Sequence, residues 1–366
     1  MMIPNRKEYL QQQAQAGQKI MGVLPALYPK ELLWAFDIIS AEIWDPPGEI
    51  LKANAHLQAT ICPVVKRGLE FILKDSTLVN SGYLFPHTCD SLQNLGSQVR
   101  DLIGTPQPVY TFYNPKGTFN NATQNYYLEL LRDFQSILEA AHGPLDPEKL
   151  IAACELGFAI DEQLLKIQSS RLSDQLDLTN LEYFQILRAG EYLSPEDYFD
   201  ILSQVKIADH PAHSKNKRLL LSGILPPDAE TLSLLDELGV TIVAEDLLSG
   251  SRRLPIAQLD APADPYEYLA DRHFILPPCS TRASSLDERF HHLNKLISTS
   301  NAQGVLFNIV KFCEPELFDH RYLVKTIKKS GTPILSIETE LLPGMSGQDR
   351  TRIEAFTEML DEGVLV

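Results

Sequence analysis

With 366 residues, of which 44% are hydrophobic and 22% charged, the chain is long enough for about two globular domains at ~150 residues each. A net charge of −16 argues against a nucleic-acid partner, which needs clustered Lys and Arg, and no apolar run approaches the ~20 residues of a membrane span. The five cysteines are an odd number, and Met1–Ile20 has no apolar leader, so a disulfide framework is not expected and a reducing cytoplasm is the expected setting.

The polar, Gln-rich stretch 3–20 reads as a short helix, and Lys30 to Phe36 has helical apolar spacing. Ile43-Trp44 reads as a strand end closed by the turn Asp45-Pro46-Pro47-Gly48. Cys62-Pro63 opens a helix to about Leu73, with proline suited to the first helical position. Leu78 to Phe85 is a strand followed directly by His87-Thr88-Cys89-Asp90-Ser91, and Val109 to Tyr113 is another. From Ala122 to about Ala208 the pattern is helical, with runs at Tyr126–Ala141 and Pro147–Ser170 and a further start at Ser194-Pro195-Glu196. Residues 210–217 read as a linker.

Alternation then returns: strand Leu219–Gly223, helix Asp228–Leu238, strand Val240–Ala244, helix Ser284–Ser298, strand Val305–Phe312, helix Phe318–Lys329, strand Pro333–Ile337 and helix Thr351–Leu360. Strands alternating with helices imply a parallel sheet covered on both faces. The expected fold is therefore α/β, with two Rossmann-like (flavodoxin-like) parallel-sheet domains joined by a helical segment. The expected divisions are 1–145, carrying Cys62 and Cys89, a connector at 146–213, and 214–366, carrying Cys313.

The stretch Leu306 to Phe312 reads as a buried strand that delivers Cys313-Glu314-Pro315 at its carboxyl end, where open α/β sheets bind ligands. Cys62, at a helix N-terminus favourable to a thiolate, and Cys89 share this character. From the residues alone two readings stand: thiolate ligands of an iron–sulfur cluster, or buried packing thiols. Three cysteines are too few for an all-cysteine [4Fe–4S] site, and no C-x-x-C pattern is present. An iron left without a protein ligand could bind a substrate oxygen as a Lewis acid. Cys154 lies on an apolar helix face and reads as core, whereas Cys279 in its Pro-rich loop is open to either reading. Glu31 and His87 are the acid–base candidates, His87 being equally readable as a strand-end hydrogen-bonding residue. The loops Glu245–Arg253 and Leu342–Arg352 offer backbone N–H groups and guanidinium forks for an anion, or are simply turns with surface arginines. Neither is a P-loop, and no G-x-G-x-x-G follows the first strand.

Taken in order, Cys62-Pro63, Pro86-His87-Thr88-Cys89-Asp90-Ser91, Leu221-Ser222-Gly223, Asp246 through Arg252, Lys311-Phe312-Cys313-Glu314-Pro315, Ile337-Glu338-Thr339-Glu340 and Gly347 through Phe356 span nearly the whole chain. As a set they resemble the 2-hydroxyacyl-CoA dehydratase D-component family, which includes benzoyl-CoA reductase subunits. The resemblance implies a [4Fe–4S] cluster on the cysteines at Cys62, Cys89 and Cys313. It also implies an acyl-CoA substrate, a paralogous second subunit or a second copy, and an ATP-dependent iron–sulfur activator delivering one electron. The chemistry it implies is oxygen-sensitive and passes through a ketyl radical of the CoA thioester, used for dehydration or for reduction. Two departures stand out, since many relatives carry cysteine where this chain has Leu248 and Pro277. Other readings within the resemblance are a double-cubane-type reductase of small molecules, and an electron-transfer or scaffold subunit without its own substrate site.

Overall fold

The computed structural model describes residues 2–74, 78–117, 119–209, 215–257, 259–260 and 263–362. The chain divides into two compact units, the first comprising Met1–Gln163, Ala189–Ser203 and Pro255–Leu276, the second Leu164–Arg188, Gln204–Leu254 and Pro277–Val366. Of the expected linker, residues 210–214 lie outside the described residues.

The first unit is built on four parallel strands, β1 (Lys19–Val23), β2 (Ile38–Glu42), β3 (Tyr83–Pro86) and β4 (Val109–Phe112), in the order β2-β1-β3-β4. β2 is buried at every position and β1 at all but its first, as a sheet covered on both faces requires. Two expectations shift here. The polar stretch 3–20 is not one helix: Arg6–Gln15 is helical, capped by the Asn5 side chain, and β1 starts after Gly17 at φ 82°. Four buried residues, Ile20-Met21-Gly22-Val23, are too short an apolar run to outweigh the glutamines around them in a periodicity reading. Likewise the strand ends just before Ile43-Trp44, although the Ile43 N–H still donates to Val23 O at 2.7 Å.

The second unit repeats the plan with β5 (Lys217–Gly223), β6 (Val240–Leu247), β7 (Gly304–Val310) and β8 (Ile334–Thr339), parallel and ordered β6-β5-β7-β8. In each sheet the chain runs outward from the first strand to the second, then crosses back to the third. This places a topological switch point between the first and third strands. All seven residues of β7 are buried, and Phe307, Ile309 and Val305 pack with Leu220, Leu293, Leu323 and Ile327.

β7 stops short of the expected Phe312 because Phe312 itself adopts φ 59°, a left-handed conformation that no strand can continue through. The helix that follows, Glu314–Lys329, starts four residues before Phe318, with Pro315 in its first turn. Helix Gly347–Glu362 also starts earlier than Thr351, because Ser346 Oγ accepts the Asp349 N–H at 3.0 Å. No helix among the described residues is long and apolar enough to cross a membrane.

Candidate functional site

In the first unit the two expected thiols come together. Cys62 immediately precedes the helix Pro63–Lys74, and its carbonyl accepts from Val65 N at 3.0 Å. Cys89 occupies the cap position of the helix Asp90–Gln98, in extended conformation at φ −149°, ψ 165°. That helix follows β3, so Cys89 lies beyond the carboxyl end of an inner strand. Burial pushes the Cys89 thiol up to about 11; the Leu92 and Ser91 N–H groups and the Lys116 cation oppose this, and the nearby Cys62 sulfur adds to it. Both cysteines stand at helix N-termini, and N–H donors and a cation lie beside Cys89, but burial outweighs them and favours its thiol form.

His87 sits two residues before Cys89, and its N–H extends the β3–β4 pairing by donating to Phe112 O at 2.7 Å. Its ring stands edge-on to Tyr113 with centroids 5.5 Å apart, and Nε2, 3.8 Å from Asp90 Oδ1, makes no hydrogen bond. Burial, helped by Lys116, lowers its pKa and favours the neutral ring. Glu31 is placed differently. It lies buried on the short helix Lys30–Trp34, with its carboxylate 4.0 Å from the Arg272 guanidinium, which donates at 2.6 and 2.8 Å to both oxygens of Asp161. Burial raises the Glu31 pKa and Arg272 opposes it. Gly157 makes room for this carboxylate, since a Cβ there would lie 2.9 Å from Glu31 Cγ.

In the second unit Cys313 caps the helix Glu314–Lys329. Its N–H donates to Val310 O at 3.1 Å and its carbonyl accepts from Leu317 N at 3.0 Å. Cys313 thus sits just beyond the carboxyl end of inner strand β7. Among the described residues no group of three or more His, Cys, Asp or Glu side chains forms a metal-binding set. Cys154 is fully buried in the core with its pKa raised by burial, as its apolar helix face suggested. Cys279 is also fully buried, 3.1 Å from Thr281 Oγ1.

Behind Cys313 lies an ionic network that the sequence did not announce. Arg252 donates through Nε and Nη2 to the two oxygens of Asp246 at 3.0 and 2.9 Å, and through Nη1 to Glu316 at 2.5 Å. Arg289 donates to the same Asp246 oxygens at 3.0 and 2.9 Å, and Ser222 Oγ at 2.8 Å. Asp246, Arg252 and Arg289 are all 0% exposed. Burial favours the neutral acid at Asp246, but the two guanidiniums outweigh it and hold the carboxyl far below its usual range.

These contacts correct the anion reading of the loop Glu245–Arg253. The Arg252 fork is filled by carboxylates, and the loop N–H groups of Leu247 and Ser251 already donate to Glu245 at 2.8 Å each. In the other loop, Arg350 pairs with Glu230 at 3.3 Å and Arg352 with Asp349 at 3.3 Å, while the Met345 N–H donates to Glu230 at 3.0 Å. These carboxylates claim the groups expected to receive an anion. The loop instead borders a polar cavity of about 640 Å³ with Asn308, Lys311 and His320.

Cysteines at the carboxyl ends of inner strands, in two sheets of the same order, agree with the motif set that runs through the sequence. The model of the 2-hydroxyglutaryl-CoA dehydratase D-component family matches residues 25–360. The chain belongs to that family. It is 25% identical to the (R)-phenyllactyl-CoA dehydratase beta subunit of Clostridium sporogenes over 98% of this chain and 96% of that one. It is 25% identical to the lactoyl-CoA dehydratase subunit beta of Anaerotignum propionicum over 95% and 93% of the two chains. It is 22% identical to a benzoyl-CoA reductase subunit of Thauera aromatica over 95% and 92%. As a D-component family member the chain departs from the expected pattern at Leu248, which is buried and donates its N–H to Gly223 O at 3.2 Å. An apolar side chain there offers no metal ligand.

Proposed function

We propose that this chain is an iron–sulfur subunit of a 2-hydroxyacyl-CoA dehydratase or benzoyl-CoA reductase-like enzyme, with Cys62, Cys89 and Cys313 holding a [4Fe–4S] cluster. The observation that carries the reading is the meeting of Cys62 and Cys89 at two helix N-termini, one of them directly beyond inner strand β3. Such a group supplies one-electron transfer, the chemistry that reduces a CoA thioester carbonyl to a ketyl radical. The protein's own part is to hold the thiolates. The Ser91 and Leu92 N–H groups and Lys116 favour the anionic form of Cys89 against burial. His87, two residues before Cys89, with burial favouring its neutral ring and its buried Nε2 without a hydrogen bond, is a candidate to take up a proton. Glu31, held by Arg272 beside Asp161, has the setting of a positioned buried acid.

The subunit names of the relatives support a further proposal, that the working enzyme contains a second subunit; an ATP-dependent iron–sulfur activator as its electron source is proposed from the family resemblance alone. Combined without oxygen with that subunit, the activator and ATP, the chain should support elimination of water from a 2-hydroxyacyl-CoA or reduction of an aromatic acyl-CoA. Cys62→Ala and Cys89→Ala should each abolish turnover. Undiminished turnover in both variants would overturn the reading.

A further inference from the structure

We infer that Arg252 and Glu316 are positioning residues for the third thiolate, because their ion pair fixes the first turn of the helix that begins at Cys313. This rests on the cluster reading above. Cys313 is held from the strand side by its own N–H on Val310 O at 3.1 Å, after the left-handed turn at Phe312. From the helix side, Glu316 lies three residues on, in the same first turn. Its carboxylate accepts from Arg252 Nη1 at 2.5 Å, from Arg252 Nη2 at 3.4 Å and from Ser280 Oγ at 2.5 Å.

Arg252 cannot move to follow the helix, because its Nε and Nη2 are engaged by Asp246, which Arg289 and Ser222 hold in turn. Arg289 also lies 3.6 Å from Asp319, one turn further along the same helix, and donates to Pro278 O at 2.9 Å. The helix start is therefore tied to the end of β6, to the turn after it and to a neighbouring helix. Cysteine has a single side-chain rotor, so fixing its backbone confines the sulfur to a few staggered positions. Burying so many charges is no efficient route to stability, as apolar residues of the same volume often serve as well or better. Buried ionic groups are best attested where they specify one arrangement, and here the arrangement specified is that of the Cys313 turn.

The test uses the full chain with its cluster assembled without oxygen, and reads iron transfer to a chelator together with the electron paramagnetic resonance of the reduced protein. Arg252→Met and Glu316→Gln should release iron about 10-fold faster than the unaltered chain, the effect expected of an outer partner of a metal ligand, and should shift the resonance. Arg171→Met is the control. It removes a buried arginine of the same unit whose bonds run to Ile242 O at 3.0 Å and Asn180 at 2.8 Å, so it lowers stability but should leave release and resonance unchanged. If Arg252→Met does not fold, Glu316→Gln, which keeps volume and acceptor, decides alone. Release and resonance indistinguishable from Arg171→Met would overturn the inference. If Cys313→Ala itself keeps its iron at the original rate, the cluster assignment fails instead, independently of Arg252.

Discussion

Arg252 and Asp246 form a two-bond ion pair, Nε to Oδ1 at 3.0 Å and Nη2 to Oδ2 at 2.9 Å, with both side chains fully shielded from solvent. Removing one partner of such a pair leaves the other charge buried and uncompensated, at a cost of about 3–5 kcal/mol. Asp246→Asn takes a carboxylate from two guanidiniums at once, since Arg289 shares it, leaving Arg252 with Glu316 and Arg289 with Asp319. Urea unfolding should show a loss in that range, and a loss below ~1 kcal/mol would show that the network is dispensable for stability.

A second prediction comes from the close approach of β5 to β7. A Cβ on Gly223, whose φ is 155°, would lie 2.3 Å from the Asn308 carbonyl oxygen. Neither that oxygen nor the backbone carrying it can swing aside, because β7 is buried along its length. Gly223→Ala should therefore destabilise the chain by about 3 kcal/mol or more, through overpacking and backbone strain together. Thermal unfolding measures it, and an unchanged midpoint would mean that the two strands can separate locally.

The third concerns pH. Burial raises Glu245 to about 7 from its ordinary 4.5, the Leu247 and Ser251 N–H groups only partly opposing it. Below 4.5 folded and unfolded chains both hold the proton, so this group's contribution is fully present there. It is lost as pH rises towards 7, because the unfolded carboxyl ionises first. At ~1.36 kcal/mol per pH unit the loss amounts to at most about 3 kcal/mol. Glu245→Gln, measured beside the unaltered chain at pH 5 and 8, should flatten this component, and equal slopes in both proteins would contradict it.

The strands of the second unit were legible because β7 and its neighbours are short apolar runs set between helical patterns, and the caps Asp228 and Ser285 bear their signals in the sequence. β2 was not, since Ser40 and Glu42 interrupt its five residues and leave neither a continuous apolar run nor a clean alternation. The places of Cys62, Cys89 and Cys313 at element ends were legible from Pro63, from Asp90 and from Pro315 two residues on. The Asp246–Arg252–Arg289–Glu316 network was not, because Arg289 and Glu316 lie far in sequence from Asp246 and Arg252 and nothing local distinguishes a buried arginine from a surface one. Glu31 shows the same limit: its neighbour Arg272 is brought to it only by the fold.

The central claim is that Cys62, Cys89 and Cys313 hold one cluster, and iron content measured on protein purified without oxygen tests it most directly. The expected result is a brown protein with about four irons per chain, the count of a single cubane. That iron should be lost in Cys62→Ala, Cys89→Ala and Cys313→Ala and retained in Cys154→Ala, whose thiol is buried in the core of the first unit. A colourless preparation, or iron that survives all three substitutions, would contradict it.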